Sequence, residues 1–254
     1  FAAAELLGAR VVHFERRFED GYALDPDQVK RAITPRTRLV VLSSLHNPSG
    51  VMASPEAIQA VGRIAEQARA HVLVDEVYLD SAFASPRTTA ATLGEVFIST
   101  SSLTKAYGLS GLRCGWALAS PRAAEQIRRA RDIVDGVGAF PAEAIAVVAF
   151  EHLGRLAARA RNLLGPNFAI VREFLDSRAD LQYVAPAGGT VVFPKLRGRD
   201  EAGPFIDRLL IEEQVAVVPG RFFQSPAHFR LAFGLVSPET LRGGLERMGR
   251  VLDT

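Results

Sequence analysis

A single cysteine, Cys114, stands among 254 residues, so the chain can close no disulfide within itself and no cysteine cluster can hold a metal. That scarcity suits a reducing compartment, and a cytoplasmic protein is the expectation. Net charge is scarce too: 30 Lys and Arg against 28 Asp and Glu leave +2. The basic residues are interleaved with acids, as in ERRFED and EQIRRARD, which argues against a nucleic-acid footprint. No apolar run nears the roughly 18 residues of a bilayer-spanning helix. The longest candidate, AIAVVAF (Ala144 to Phe150), is far too short, so no membrane partner is expected. The motif GxxxxGK[ST] is missing, and so are a GxGxxG after a strand and HExxH. Their absence removes the P-loop cradle, the dinucleotide fingerprint and the zinc helix. His13, His46, His71, His152 and His228 are dispersed and read as structural or surface residues, so no metal site is expected.

What is present is a chain with 48% hydrophobic residues, long enough to bury about three quarters of its unfolded surface. From about Arg38 to Ser120, short apolar runs alternate with helix-like segments, the pattern of an α/β sheet with crossover helices. RLVVLSS, HVLVDE, VFISTSS and CGWALAS are nearly continuous in apolar residues, as buried strands are. Between the first two lies SPEAIQAVGRIAEQARA, with Ser54 as N-cap, Pro55 at the first helical position and a periodic apolar face, so those strands should be parallel. A second helix opens in the same way at Ser120 and Pro121.

Beyond about Gly154 an Arg-rich helical pattern follows, which Gly165-Pro166 should interrupt or kink. Short strands TVVFPKL, VAVVPG and FRLAFG and two further helices complete a smaller α+β unit. The expected fold is therefore α/β, a mixed and mostly parallel sheet with flanking helices over residues 1–153, followed by a smaller α+β domain over 154–254. The first residue is Phe1, and FAAAELLGARVV reads as a helix already under way, so the chain is expected to be a piece of a longer one.

Polar residues recur where the strands end. Asn47 follows the first in HNPSG, Asp75 closes the second with Tyr78 three positions on, and the third runs into SSLTKAYGLSGLR with Ser102, Lys105 and Arg113. Arg230 lies in FRLAFG. In open α/β sheets ligands bind at the carboxyl ends of strands. Taken singly, HNPSG is a turn, Lys105 a solvated lysine and Arg230 a structural ion pair. Taken together they suit one ligand. It would have a ring cation for the acid, a ring oxygen for the phenol and amide, a carbonyl for the lysine, and a phosphate for Ser102 and Arg113.

HNPSGV, DEVY, SSLTKAYGLSGLRCG, PAGGTVVF and FRLAFG, in this order, resemble the motifs of fold type I pyridoxal phosphate enzymes of the class I/II aminotransferase family. The resemblance implies that Lys105 carries pyridoxal phosphate as an aldimine and then acts as the acid/base catalyst, its amine made neutral by Arg113 and partial burial. It implies that Asp75 pairs with the pyridinium nitrogen, Asn47 and Tyr78 hold the 3-oxygen, Ser102 and Arg113 bind the phosphate, and Arg230, with Asn47 beside it, binds the substrate carboxylate. Gly188 to Thr190 replace a bulkier pair of the family, which implies a wider pocket or exposed backbone. The family's phosphate-binding helix start and ring-stacking aromatic precede the point where this chain begins.

The activity so implied is amino transfer between an L-amino acid and a 2-oxo acid by a homodimer. The same anchors would also serve a lyase, a decarboxylase or a cyclising enzyme, or an aminotransferase-like sensor domain of a transcription regulator.

Overall fold

The computed structural model describes residues 2–84, 87–234 and 236–254; Phe1, on which the expectation of a longer chain rests, lies outside them. After a short helix, α1 (Ala2–Leu6), and α2 (Pro26–Ala32), four strands form one sheet: β1 (Leu39–Ser43), β2 (His71–Asp75), β3 (Phe97–Ser102) and β4 (Gly115–Leu118). Their order is β1-β2-β3-β4, with β1, β2 and β3 parallel and β4 antiparallel. The parallel start follows from α3 (Pro55–Gln67), which returns the chain to the same sheet edge. Ser54 accepts from the Ala57 N–H at 3.1 Å as its N-cap. The inward face of α3, with Ile58, Val61 and Ala65, meets Val40, Leu42, Val72, Val74 and Phe97 of the sheet in one core. Gly62 lies directly over the Phe97 ring, where a side chain would collide.

The remaining helices are α4 (Pro121–Val134), α5 (Phe140–Glu151), α6 (Leu153–Asp176), α7 (Gly203–Glu213) and α8 (Pro238–Leu252). The expected break at Gly165-Pro166 is absent: α6 runs unbroken for 24 residues through Pro166. Packing outweighs the lost N–H, because Leu164, Phe168, Val171 and Leu175 on one face are buried against α7, α8 and the small strands. Those strands are β5 (Leu181–Gln182), β6 (Val191–Val192), β7 (Lys195–Leu196), β8 (Val218–Pro219) and β9 (Phe229–Ala232). They pair as β5-β7 and β6-β9-β8, all antiparallel.

Both outer strands of the large sheet leave apolar side chains uncovered, Val41 at 58% exposure on β1 and Leu118 at 46% on β4. Among the described residues no helix is long and apolar enough to cross a membrane. Nor do any three His, Cys, Asp or Glu side chains there converge as a metal site.

Candidate active site

Sheet register brings the strand-end residues together. Ser43, Asp75 and Thr100 are aligned across β1, β2 and β3, so Asp75 sits at the middle of the carboxyl edge. Ser43 Oγ accepts from the Asn47 N–H at 3.1 Å, which folds the HNPSG turn back over that edge. Strand alternation sends the two acids of DEVY opposite ways. Glu76 is buried and satisfied by the Thr89 hydroxyl at 2.6 Å and the Ala90 N–H at 2.7 Å. Burial still holds its carboxyl above the usual range, against the pull of those bonds. Asp75 accepts only from the Val77 N–H, at 3.1 Å, and meets no cation among the described residues.

The hairpin of β3 and β4 carries the two cations. Ser102 faces Gly115, and one step further the Leu103 N–H bonds the Cys114 carbonyl at 3.0 Å, so Ser102 and Arg113 stand at the mouth of one loop with Lys105 inside it. Leu103, Ala106 and Tyr107 pack into a small core with Ala146 and Ala149 of α5, and Lys105 between them stays exposed. The partial burial expected for this lysine is therefore not supplied by the described residues. Arg113 is held at φ 50°, a left-handed conformation that costs a non-glycine residue about 1–2 kcal/mol and is typical of ligand clamps. Its guanidinium makes one long bond, 3.4 Å, to the Ser110 carbonyl.

Arg230 arrives from β9. Its Nη1 donates to Asn47 Oδ1 at 3.0 Å, its Cζ lies 5.2 Å from the Phe223 ring centroid, and its buried Nε has no partner among the described residues. Tyr78 is buried with no hydrogen bond to its hydroxyl among the described residues. Asp75, Lys105 and Arg113 thus follow the carboxyl ends of β2 and β3, Tyr78 lies in the turn after β2, and Arg230 reaches Asn47 after β1; no hydrogen bond or ion pair joins these five to one another among the described residues. A carboxylate, a phenol, an amine and two guanidinium groups left this way are the donor set that a phosphorylated pyridine aldehyde and an amino acid would engage.

The glycine loop does something other than widen a pocket. The Ala187 N–H bonds the Gly50 carbonyl at 2.9 Å, Phe83 N–H bonds the Ala187 carbonyl at 2.9 Å, and Gly189 N–H bonds the Ser81 carbonyl at 3.1 Å. At Gly188 an added Cβ would lie 2.6 Å from the Ser81 carbonyl oxygen and strike Ala82 Cα, so glycine is needed for backbone approach. The segment Ala187–Gly189 is in effect stitched to both the HNPSG turn and the turn after Tyr78.

Behind the Asn47 turn lies a cluster that the sequence did not reveal. Arg16, one of the ERRFED charges, is no surface cation: its Nε donates to the Tyr22 carbonyl at 2.7 Å and its Nη1 to that of Ser43 at 3.3 Å. Burial without a carboxylate pushes it down to about 10. His46 bonds the Ser49 hydroxyl at 2.7 Å, and burial with Arg16 nearby pushes it down to about 3. His228 stacks on Phe193 with ring centroids 4.8 Å apart, and both its nitrogens are buried without partners. Burial, then Lys195, pushes it down to about 4. In the unfolded chain these imidazoles take up protons near 6.5 that the folded chain refuses, so stability is full above about pH 6.5 and falls as pH drops toward 4. Replacing His228 by Phe keeps the stack and removes one refused proton. Urea unfolding of H228F should therefore change little at pH 8 and recover about 3 kcal/mol at pH 4. An unchanged acid limb would show that His228 is not one of the refused groups.

A recess of about 450 Å³ opens at the other end of the strands, lined by Glu66, Arg69, His71, Glu95 and Arg122. It mixes both charge signs and has no buried unpartnered group, so it does not compete with the carboxyl edge.

A family model described as "Aminotransferase class I and II" matches residues 2–248. Capreomycidine synthase of Streptomyces vinaceus is 30% identical over 94% of this chain and 62% of its own length. A probable aspartate/prephenate aminotransferase of Thermus aquaticus is 33% identical over 92% of this chain and 62% of its own. Among solved structures, a PLP-dependent aminotransferase from Streptococcus suis superposes with a TM-score of 0.92 at 27% identity, covering 99% of this chain and 67% of that one. Aspartate aminotransferase of Thermus thermophilus, as a tetra mutant, gives 0.87 at 27% identity, covering 97% of this chain and 69% of that one. The chain spans about two thirds of the length of these relatives. With the match covering nearly every residue, the chain belongs to the class I and II aminotransferase family.

Proposed function

We propose that the carboxyl edge of the large sheet binds pyridoxal 5'-phosphate on Lys105 and transfers an amino group between an L-amino acid and a 2-oxo acid. The observation that carries this reading is the set of unpartnered groups at the sheet edge: Asp75 without a cation, Tyr78 without a hydrogen-bond partner, Arg113 with one long bond and Arg230 with a free Nε. When bound, the cofactor supplies an electron-withdrawing ring that takes up the electron pair left at the amino acid's Cα. Asp75 would keep the ring nitrogen protonated, while Asn47 and Tyr78 would hold its 3-oxygen. Ser102 and Arg113 would hold the phosphate, the arginine through charge-assisted bonds. Arg230 would grip the α-carboxylate with two parallel N–H bonds and so orient the Cα–H bond. Lys105 Nζ, once freed, would take that proton and return it.

The same reading divides the chain at residue 153 into a cofactor-binding part and a smaller domain. It also takes the working form to be a cytoplasmic homodimer. Exposed apolar residues around α5, among them Val137, Phe140 and Val147, support self-association, and the single cysteine suits a reducing compartment.

Borohydride reduction of the protein incubated with pyridoxal phosphate, followed by peptide mass mapping, tests the assignment: a pyridoxyl group on Lys105 is expected, and one elsewhere refutes it. Similarity to a protein named a synthase favours a second reading, a reaction other than amino transfer on the same residues. Keto acid with aminated cofactor after a single turnover supports transamination, whereas ammonia release supports elimination.

A further inference from the structure

Lys105 and Tyr78 belong to different loops that leave the paired strands β2 and β3, and beyond the sheet edge a side-chain hydrogen bond joins those loops. The Tyr107 hydroxyl donates to Asp80 Oδ2 at 2.8 Å, across 27 residues of chain. Tyr107 is two positions past Lys105, and Asp80 is two positions past Tyr78. Each end is firmly seated. Asp80 lies in a 3-10 turn, Leu79–Ser81, which starts where the Leu79 N–H bonds the Glu76 carbonyl at 2.8 Å. Within that turn the Ser81 hydroxyl bonds the Tyr78 carbonyl at 2.6 Å. Arg87 adds a bond of 2.6 Å to the Asp80 carbonyl and stands 3.8 Å from its carboxylate. At the other end the Tyr107 ring is buried beside Leu103 and Ala106, and the loop closes through Leu109 N–H to the Leu103 carbonyl at 2.9 Å. The span from Tyr78 through Asp80 and Tyr107 to Lys105 is therefore a short rigid bridge, while no hydrogen bond joins Tyr78 to Lys105 directly among the described residues.

We propose that Tyr107 and Asp80 are positioning residues that set the distance between the Lys105 amine and the Tyr78 phenol. This rests on the reading that Lys105 carries the cofactor. The two groups would act on adjacent parts of it, the lysine on its carbonyl carbon and the phenol on the neighbouring ring oxygen. A phenol O–H held on that oxygen stabilises its negative charge and weakens its grip on the proton at the Lys105 nitrogen. Slackening the bridge lengthens the phenol contact, makes the oxygen more basic and tightens that grip. A lysine displaced by even a fraction of an ångström also meets the Cα proton less well. Tyr107 itself touches neither cofactor nor substrate in this scheme.

The test compares Tyr107→Phe, Asp80→Ala and Asp80→Asn with the parent protein, each loaded with pyridoxal phosphate. The primary readout is the pH midpoint of the visible band of the bound cofactor, which follows the proton on the Lys105 nitrogen. Tyr107→Phe and Asp80→Ala should each raise that midpoint by about half to one pH unit, and lower kcat about 3–30-fold with KM for the amino donor within about 2-fold. Asp80→Asn keeps an oxygen that can accept from Tyr107 and should restore most of both values. The double variant Tyr107→Phe/Asp80→Ala should shift no further than either single one, because both cut the same bridge. Melting of the cofactor-free proteins separates plain destabilisation. A variant that melts earlier yet keeps the parent midpoint and kcat would overturn the proposal, as would a shift in Asp80→Asn as large as in Asp80→Ala. Absence of a reducible adduct on Lys105 in the parent would instead overturn the reading of the site itself, so the two failures are distinguishable.

Discussion

Replacing Lys105 by alanine is expected to abolish the borohydride-stable adduct and to lower kcat by at least about 10³-fold, the range of a lost acid/base group that is also the covalent anchor. The fold should survive. Lys105 is exposed, makes no ion pair among the described residues, and sits between Leu103 and Ala106, which carry the packing of its loop. Melting within a few degrees of the parent, with cofactor still held reversibly by Arg113, Ser102 and Asp75, would show that only the chemistry was removed. Exogenous methylamine should restore part of the activity, since it can supply the missing base without rebuilding the loop. If K105A keeps parental turnover, the sheet's carboxyl edge is not the reacting site and the assignment of the whole strand-end set fails with it.

Arg230→Lys should produce the second largest effect, and a different one. Lysine keeps the charge but not the planar fork, so it can hold a carboxylate through one bond where arginine holds it through two. The Nη1 that now rests on Asn47 Oδ1 and the unpartnered Nε are the two edges from which that fork is drawn. KM for the amino acid should rise about 10–100-fold, matching the loss of about 1.4–2.8 kcal/mol of binding. The adduct on Lys105 should form as in the parent, because no cofactor atom depends on Arg230 in this scheme. A variant with unchanged KM would mean that Arg230 is a structural brace between the Asn47 turn and β9. The bond to Asn47 and the contact with Phe223 would then account for its place. Steady-state kinetics with an L-amino acid and with the corresponding amine sharpen the outcome, since only the former carries the carboxylate that Arg230 would bind.

Much of the fold is legible in the sequence alone. Apolar runs bounded by Ser-Pro helix starts mark β1 to β4 and α3 and α4 with little ambiguity, because local chemistry governs those boundaries. The polar residues that end each strand, Asn47, Asp75, Ser102, Lys105 and Arg113, are separated by lengths that any parallel sheet with crossover helices turns into neighbours. The break expected at Pro166 did not occur, since a local preference of about 3 kcal/mol yielded to a helix face buried along its length.

The residues that support the site were invisible for the opposite reason. Arg16 sits in a run of mixed charges that looks solvated, and only the packing of Tyr22 and the exit of β1 around it removes it from water. His228 differs from the other histidines in no local feature; its burial between Phe18 and Phe193 comes from packing of segments about 200 positions apart. Gly188 reads as a missing side chain until the backbone of Ser81 and Ala82 is seen against it. Tyr107 and Asp80 are two ordinary polar residues 27 positions apart, and no spacing rule pairs them. Taken alone, the order of motifs determines the strands, the crossover helix α3 and which polar groups follow the strands, because each depends on neighbours within a few positions, whereas the parallel β2–β3 crossing, made without an α-helix, came only from the fold. Which acid of DEVY is free, which arginine is buried, and what fixes Lys105 relative to Tyr78 were decided only when segments far apart in the chain came into contact, since burial and hydrogen-bond partnership are properties of the packed whole.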